Sequence, residues 1–363
     1  MTNPYLTETL QLIRSENLGP LTFHRLLQHY PNPETIVTQW DEIKGRLKRK
    51  ITLPPLPLIH TEIDNTLKFG AQFITLFDPQ YPDLLKQLPD APPVLIVKGN
   101  LDLLTQNTLG LVGARNASSH SCRLAFKIAA TMGKADWVVA SGLARGIDTA
   151  AHKGALETGT LAVIGGGIDN VYPEENKVLY EKISQEGLLL TEVPYGTTPQ
   201  ASHFPRRNRL ISGLSQGLLV VEASIQSGSL ITANCATEQG REVFAVPGSP
   251  MDPRCRGTNF LLKQGAILTE SAQDILNVLE KRSMLHAPQQ STLFAEESPL
   301  EFSPTDVQNT LLTVLNATPL SVHTLIQETR LPADKLWPLL LDLEMSQKIE
   351  RHPGDSFSKV FAS

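Results

Sequence analysis

The chain has 363 residues, enough for two or three domains, and its 41% hydrophobic and 19% charged content is that of an ordinary globular protein with ample core. A net charge of −5 excludes a surface coated in basic charge, so any site for a polyanion must be local. Cys122, Cys235 and Cys255 are odd in number and lack metal-ligand spacing, which argues for a reducing cytoplasm and no metal site. Asn3, Thr7 and Glu8 interrupt any opening apolar segment, and no apolar run approaches membrane-spanning length, so neither a secretory leader nor membrane contact is expected.

Residues 1–70 read as short helices. Leu6, Leu10 and Ile13 recur at helical spacing, Asn17-Leu18-Gly19-Pro20 makes a turn, and Leu21, Leu26 and Leu27 continue on a second helix. The pair is similar to a SAM-like or helix-hairpin-helix domain, either a packing module or a contact to DNA backbones. Lys48-Arg49-Lys50 is a solvated basic cluster, and Pro54, Pro55 and Pro57 then break regular structure.

Residues 71–282 form the second expected domain. Phe73–Leu76 and Val94–Val97 are short strands. From Leu109 the pattern alternates. Apolar strands at Leu109–Val112, Trp137–Ala140, Leu161–Ile164, Leu188–Glu192, Leu218–Val221, Val243–Val246 and Ala266–Thr269 are separated by helices. These helices are expected over Ser119–Met132, Thr149–Glu157, Glu174–Ser184, Ile231–Gln239 and Gly257–Gln264. Continuous apolar strands in repeated β-α-β units predict an α/β fold, a Rossmann-like, doubly wound and mostly parallel sheet with one antiparallel edge.

Residues 283–304, rich in Ser, Pro, Glu and Gln, read as a flexible linker. In 305–363, helical segments at Val307–Leu315, Val322–Glu328 and Pro332–Ser346 precede a turn at Pro353-Gly354 and a final strand, the pattern of a winged-helix domain. Residues 286–363 carry 5 Lys/Arg against 10 Asp/Glu, and the third helix sets Asp334, Asp342 and Glu344 against Lys335. Strong phosphate binding there is not expected, and protein contact or packing is the preferred role.

Ligands of open α/β sheets sit beyond the carboxyl ends of the strands. Gly113-Ala114-Arg115, Ser141-Gly142-Leu143-Ala144-Arg145-Gly146, Gly165-Gly166-Gly167 and Ser227-Gly228-Ser229-Leu230-Ile231-Thr232 all fall there. Glycines let backbone N–H groups approach an anion, and helix N-termini attract negative charge. The stretch His203 to Ser215 places Phe204, Arg206, Arg207, Asn208 and Arg209 close together, cationic forks beside an aromatic face suited to phosphates and stacked bases. A purely structural reading, with the arginines paired to acids, stays open. Glu192 and Glu222 end strands and are the candidate partners, Glu222 for Arg209 in particular. His152 on a helix near Asp148 reads as a structural hydrogen bonder rather than a base. A dinucleotide fingerprint, a Walker sequence and a nucleophile elbow are all missing.

Taken together, Leu111-Val112-Gly113-Ala114-Arg115, Ser141 to Asp148 with Ala151-His152, Phe204 to Arg209, Ser227 to Ala233, and Glu238 to Val243 with Pro247-Gly248 resemble the DprA/Smf DNA-processing proteins over residues 72–280. The resemblance implies single-stranded DNA binding in natural transformation. It also implies protection of incoming strands, loading of the RecA recombinase past single-strand-binding protein, and homodimerisation through the Rossmann-like domain. It implies no enzymatic activity and no cofactor. Carried onto this sequence, Arg115 and the loop at Gly142 bind phosphates, with Arg145 beside them. Phe204 stacks on a base, Arg206, Arg207, Asn208 and Arg209 shape or line the pocket, and Gly228 and Ser229 give backbone contacts. Many relatives carry a lysine three residues before the phenylalanine. Here that position is Ala201, with His203 and Arg206 as the nearby groups to offset the missing charge. Two other readings stand beside this one: a Rossmann-like hydrolase or transferase acting on nucleotides through Glu192 or His152, and an adaptor whose acidic winged helix docks proteins.

Overall fold

Short aliphatic runs build the centre of the protein. The structure, a computed structural model, describes residues 4–47, 51–286, 311–315, 319–329, 333–346, 348–352 and 356–360. Nine strands form one sheet: β1 (Gln72–Thr75), β2 (Val94–Gly99), β3 (Thr108–Val112), β4 (Val138–Ser141), β5 (Thr160–Val163), β6 (Leu188–Thr191), β7 (Gly217–Val220), β8 (Glu242–Ala245) and β9 (Ile267–Leu268). Strands β3 to β7 are buried at every position, as strands covered on both faces must be.

The sheet order is β1-β2-β6-β5-β4-β3-β7-β8-β9, with β3 to β9 parallel. From β3 the chain steps outward through β4 and β5 to β6. It then returns to the other side of β3 with β7 and steps away through β8 and β9. The winding direction reverses between β3 and β7, and a crevice opens there at the carboxyl ends of the strands. At the far edge β2 pairs antiparallel with β6, and β1 antiparallel with β2. The expected antiparallel edge is therefore present and two strands wide, because residues 76–93 turn the chain back into a β1–β2 pair.

One face of the sheet carries the N-terminal helices α2 (Pro20–His29), α3 (Pro33–Thr38) and α4 (Trp40–Arg46), while α1 (Leu6–Ile13) divides its apolar residues, Leu12 to that face and Leu10 to the other, where Ile59 of α5 (Leu56–Lys68) also packs. Leu12, Leu18, Phe23, Ile36 and Trp40 join Leu95, Leu161, Leu210 and Leu218 in one apolar cluster, so this helical module shares a core with the sheet. A short helix α6 (Asp83–Lys86) adds Leu85 to the same cluster. The opposite face is covered by α7 (Ser119–Lys134) and α8 (Ile147–Ala155), whose Ile128, Ala129, Met132, Ala151 and Ala155 pack on Leu109, Leu111 and Val139. The remaining crossovers are α9 (Lys177–Glu186), α10 (His203–Gly213), α11 (Gly228–Glu238), α12 (Arg256–Lys263) and α13 (Ala272–His286). Helix α13 carries residues 283–286, expected to open the linker. The rest of the linker and Lys48-Arg49-Lys50 lie outside the described residues.

Residues 287–363 form a second unit. Its described parts are a helical segment at 311–314, β10 (Leu320–Ser321), α14 (Val322–Thr329), α15 (Ala333–Met345), β11 (Ile349–His352) and β12 (Ser356–Lys359). The three strands pair antiparallel in the order β10-β12-β11 around a core of Leu325, Leu336, Leu340 and Phe357. This is the winged-helix arrangement. No described helix is long and apolar enough to cross a membrane.

The shared core makes a measurable demand. Phe23 is fully buried, and truncating such a ring costs about 3–5 kcal/mol. In Phe23→Ala, hydrogen exchange should accelerate in the amides of β2 and β5 as well as in α1 to α4. Acceleration confined to the helices would show that the two parts unfold separately.

Candidate nucleic-acid interface

The crevice between β3 and β7 is a cleft of about 730 Å³. One side is the β3 loop, Gly113 to Asn116. Another is the segment from Ser224 into α11, and α10 closes the third with Phe204, Arg207 and Asn208. A smaller recess of about 240 Å³ adjoins it, lined by Arg115, Gly142, Arg145, Tyr172, Phe204 and Arg207 among others.

Helix α10 sorts its cations by helical geometry. Arg207 lies on the buried face with Leu210 and Ile211. It is 5% exposed, and its Nη1 donates to the Val163 carbonyl at the end of β5. A Cβ at position 142 would sit 2.1 Å from that Nη1, so only glycine leaves room for the guanidinium there. Burial pulls the Arg207 pKa down to about 10; the Asp148 carboxylate opposes the shift and Arg115 adds to it. The guanidinium remains charged, and its buried Nε has no hydrogen-bond partner.

Arg209 faces away from the cleft. It pairs with Glu192 at 2.5 Å and Asp90 at 3.2 Å, and donates to the Asp90 carbonyl at 3.0 Å. The expected pairing with Glu222 does not form. Glu222 follows β7, beside the start of α7, and its carboxylate accepts from Ser118 N–H, Ser118 Oγ and Ser121 Oγ, the last at 2.6 Å. It therefore caps α7 from across the crevice. Arg206 is exposed and lines a different groove, together with His203 and Arg209. Ala201 lines the cleft, whereas His203 and Arg206 line the other groove, His203 Nδ1 lying 3.1 Å from the Gly165 carbonyl. The cations that line the cleft with Ala201 are Arg115, Arg207 and Arg254, the last paired to Asp252 at 2.7 Å.

Phe204 is the aromatic centre of the cleft. The Arg115 guanidinium lies 5.4 Å from its ring centroid, that of Arg207 6.0 Å, and the Tyr172 ring 5.3 Å at a tilt of 41°. Cations over an aromatic face are held by the ring quadrupole. Tyr172 is half exposed and lines both cavities, yet it lies in a loop with no periodicity to single it out in the sequence. Asn208 Nδ2 donates to the Gly228 carbonyl at 3.3 Å, tying α10 to the first turn of α11. There Ser227 caps the helix by accepting from Ser229 N–H, and Gly228 and Ser229 open onto the cleft. A helix N-terminus so placed favours an anion. Arg145 is exposed at the rim of the smaller recess, 3.5 Å from Glu175.

The loop that carries Gly142 and Arg145 is strained. Leu143 has φ 55° and Gly146 φ 74°, a cost of order 1–3 kcal/mol for a residue such as leucine. Buried side chains hold it. Asp148 accepts from the N–H groups of Gly142 and Ala144, and Asn176 Nδ2 donates to the Leu143 carbonyl at 2.9 Å. His152 Nε2 accepts from Leu143 N–H at 3.2 Å. Thr160 Oγ1 gives its proton to the Val139 carbonyl, so it accepts from His152 Nδ1–H, which fixes the neutral tautomer. Burial, with the charge of Arg207 adding to it, lowers the His152 pKa to about 3. Burial raises the pKa of Asp148 against the pull of Arg207.

An open α/β sheet with an aromatic and cationic cleft at its switch point defines an anion-binding protein of the Rossmann-like class. The comparisons with known proteins carry this further: the chain belongs to the DprA/Smf family of DNA-processing proteins. The family model for DNA recombination-mediator protein A matches residues 72–280, that for the DprA winged helix domain 295–355, and that for the DprA-like N-terminal HHH domain 6–64. Protein Smf of Synechocystis sp. is 32% identical over 95% of this chain and 96% of its own. The DNA processing protein DprA of Bacillus subtilis is 43% identical over 59% of this chain and 73% of its own. The X-ray structure of DNA processing protein A from Streptococcus pneumoniae superposes with a TM-score of 0.59 at 37% identity, covering 71% of this chain and 86% of that one. A Helicobacter pylori structure, described for its single-stranded DNA binding mode, gives a TM-score of 0.53 at 31% identity, covering 58% of this chain and 97% of that one.

Two outcomes follow from the buried groups. Arg209→Ala strands the carboxylate of Glu192, which burial already disfavours as an anion. Denaturant unfolding should show a loss of about 3 kcal/mol, partly recovered when Glu192→Gln is added. His152 stays neutral in the folded protein down to about pH 3, whereas in the unfolded chain it takes up a proton below about pH 6.5. Full stability is therefore kept above that pH and lost as pH falls, by up to about 1.4 kcal/mol per unit. His152→Gln should flatten the unfolding free energy between about pH 4 and 6 by up to this slope. An unchanged slope would place the protonation elsewhere.

Proposed function

We propose that this chain binds single-stranded DNA in the β3–β7 cleft without sequence preference, as part of DNA processing in transformation, and delivers it to a RecA-type recombinase. The observation that carries the reading is Phe204, an aromatic ring flanked by the guanidiniums of Arg115 and Arg207 and the ring of Tyr172. Every base has a π-face, so stacking on such a ring tolerates any sequence. The N-terminal turn of α11 at Gly228 and Ser229, which lines the cleft, then serves the phosphates with Arg115. The Helicobacter pylori relative's single-stranded DNA binding supports the same use here.

In this reading the named residues divide. Phe204 and Tyr172 stack bases, Arg115, Arg145 and the first turn of α11 at Gly228 and Ser229 meet phosphates, and Gly142, its N–H held by Asp148, shapes the recess. Arg207 sets the field from beneath, Asn208 holds α11 in place, and Arg206 and Arg209 stand outside the cleft. The protein acts in the cytoplasm as a homodimer, without catalysis. A nucleotide-processing hydrolase would need a free acid or base. Of its two candidates, Glu192 is held by Arg209, and His152 has both ring nitrogens engaged. The winged helix exposes Trp337, Leu341 and Met345 along α15, a face better suited to protein than to phosphate.

Binding of a fluorescent thymidine oligomer tests this directly. Phe204→Ala and Arg115→Ala should each weaken it by about 1–3 kcal/mol, and Arg115→Ala should also reduce the salt dependence by about 0.7 in log–log slope. Affinity equal to that of the unsubstituted protein in both variants would sink the assignment of the cleft. Recombinase loading is then read as strand exchange in the presence of single-strand-binding protein, with Phe204→Ala slower than the unsubstituted protein.

A further inference from the structure

The outer face formed by α7 and α8 takes no part in the cleft. Helix α7 carries Arg123, Lys127 and Lys134 and no carboxylate. Helix α8 exposes Lys153, and its one acid, Asp148, is buried. Between the two helices lies an open hollow of about 650 Å³, lined by Cys122, Arg123, Phe126, Gly146, Thr149 and Lys153 among others. Phe126 is 47% exposed there, on a helix whose Ala125, Ile128 and Ala129 are buried. The ion pairs among the described residues use neither Arg123 nor Lys153.

The hollow begins where the cleft ends. A Cβ at Gly146 would meet the carbonyl oxygens of Ala114 at 2.4 Å and Arg115 at 2.6 Å, and Ile147 N–H donates to the Ala114 carbonyl at 3.2 Å. The loop that presents Arg115 to the cleft therefore packs directly on Gly146, which lines the hollow. Arg145, next to Gly146, faces the smaller recess. Cationic side chains stand along both parts, Arg115 and Arg145 at the cleft and its recess and Arg123 and Lys153 at the hollow, with Glu175 beside Arg145 and Glu222 beside the start of α7. On a chain of net charge −5 this is a local basic track, and it has an exposed aromatic ring at its centre.

We propose that a single strand seated in the cleft continues past Arg115 and Arg145 onto the α7–α8 face. There Phe126 stacks a base, and Arg123 and Lys153 neutralise phosphates. The inference rests on the single-strand reading of the cleft and extends it to a second, sequence-tolerant contact. One exposed ring between unpaired cations is the arrangement that grips a polyanion with stackable faces. A protein partner would instead need a wider apolar centre with charge excluded from it.

Oligomer length separates the two contacts, since single-strand sites span about 4–16 nucleotides. Thymidine oligomers of about 5 and about 20 residues bracket that range. Phe126→Ala combined with Arg123→Gln and Lys153→Gln alters only exposed or half-exposed side chains. It should weaken the long oligomer by about 10- to 100-fold and leave the short one within about twofold. Its salt slope on the long oligomer should shrink by about 1.4, two phosphate contacts' worth. Phe126→Leu, apolar but unable to stack, should lose part of the affinity and none of the slope. Unchanged affinity for the long oligomer, or equal loss at both lengths, would overturn the continuation while leaving the cleft reading intact. No binding of either oligomer by the unsubstituted protein would overturn the cleft reading and this inference together.

Discussion

The buried guanidinium of Arg207 is the constraint around which the site is built. A permanent charge has been drawn out of water beneath the cleft, where desolvation alone is expensive and must be offset by nearby groups. Three features make it tolerable. The Val163 carbonyl accepts one of its protons, the Asp148 carboxylate supplies the opposing charge, and Gly142 leaves the space a side chain would take. Asp148 does double duty, because the same oxygen accepts from the N–H groups of Gly142 and Ala144. The charge under the cleft and the shape of its rim are thus one assembly. A change at Asp148 would disturb both.

That coupling gives the strained loop its purpose. Leu143 at positive φ is unfavourable for leucine, and the surrounding contacts over-determine it: His152 takes its N–H and Asn176 binds its carbonyl. Holding the turn so tightly sends Arg145 outward and keeps Gly142 against Arg207. Rigidity here reduces the ordering cost of capturing a flexible strand, which already loses its own freedom on binding. His152, in a position that invites a catalytic reading, is better understood as part of this clamp.

Much of this was legible in the sequence, and the limits have physical causes. Continuous apolar runs announce buried parallel strands, because nothing else hides both faces of a short segment. Of the glycines at the strand ends, Gly113, Gly142 and Gly228 line the two cavities and Gly165 to Gly167 line neither. The strand order was not legible, since β7 and β3 meet across more than a hundred residues of chain. The fate of the arginines was likewise hidden. Spacing along α10 says that Arg207 and Arg209 diverge, but not that Glu192 waits for one and that Glu222 is already committed to α7. Tyr172 left no signal because loops have no period. That Arg254 lines the same cleft as Ala201 was not legible either, since separate parts of the chain come together only in the fold.

The acidity of the whole protein then fits a local basic site. Charges on the surface are screened beyond about 8–10 Å in physiological salt. Acidic charge beyond that range therefore does little to a phosphate already in the cleft, while it does discourage polyanions from settling elsewhere. Exposed cations stand at Arg115 and Arg145 beside the cleft and at Arg123 and Lys153 on the face formed by α7 and α8. On α10, Arg207 is buried, Arg209 is spent on carboxylates, and Arg206 is exposed but lines a different groove. Under the proposed function, affinity for a strand comes from few contacts of high quality: a stacked ring, a helix end and two or three guanidiniums. Such a site would hold a strand without sequence preference and also release it, because stacking and a handful of phosphate contacts can be broken one at a time.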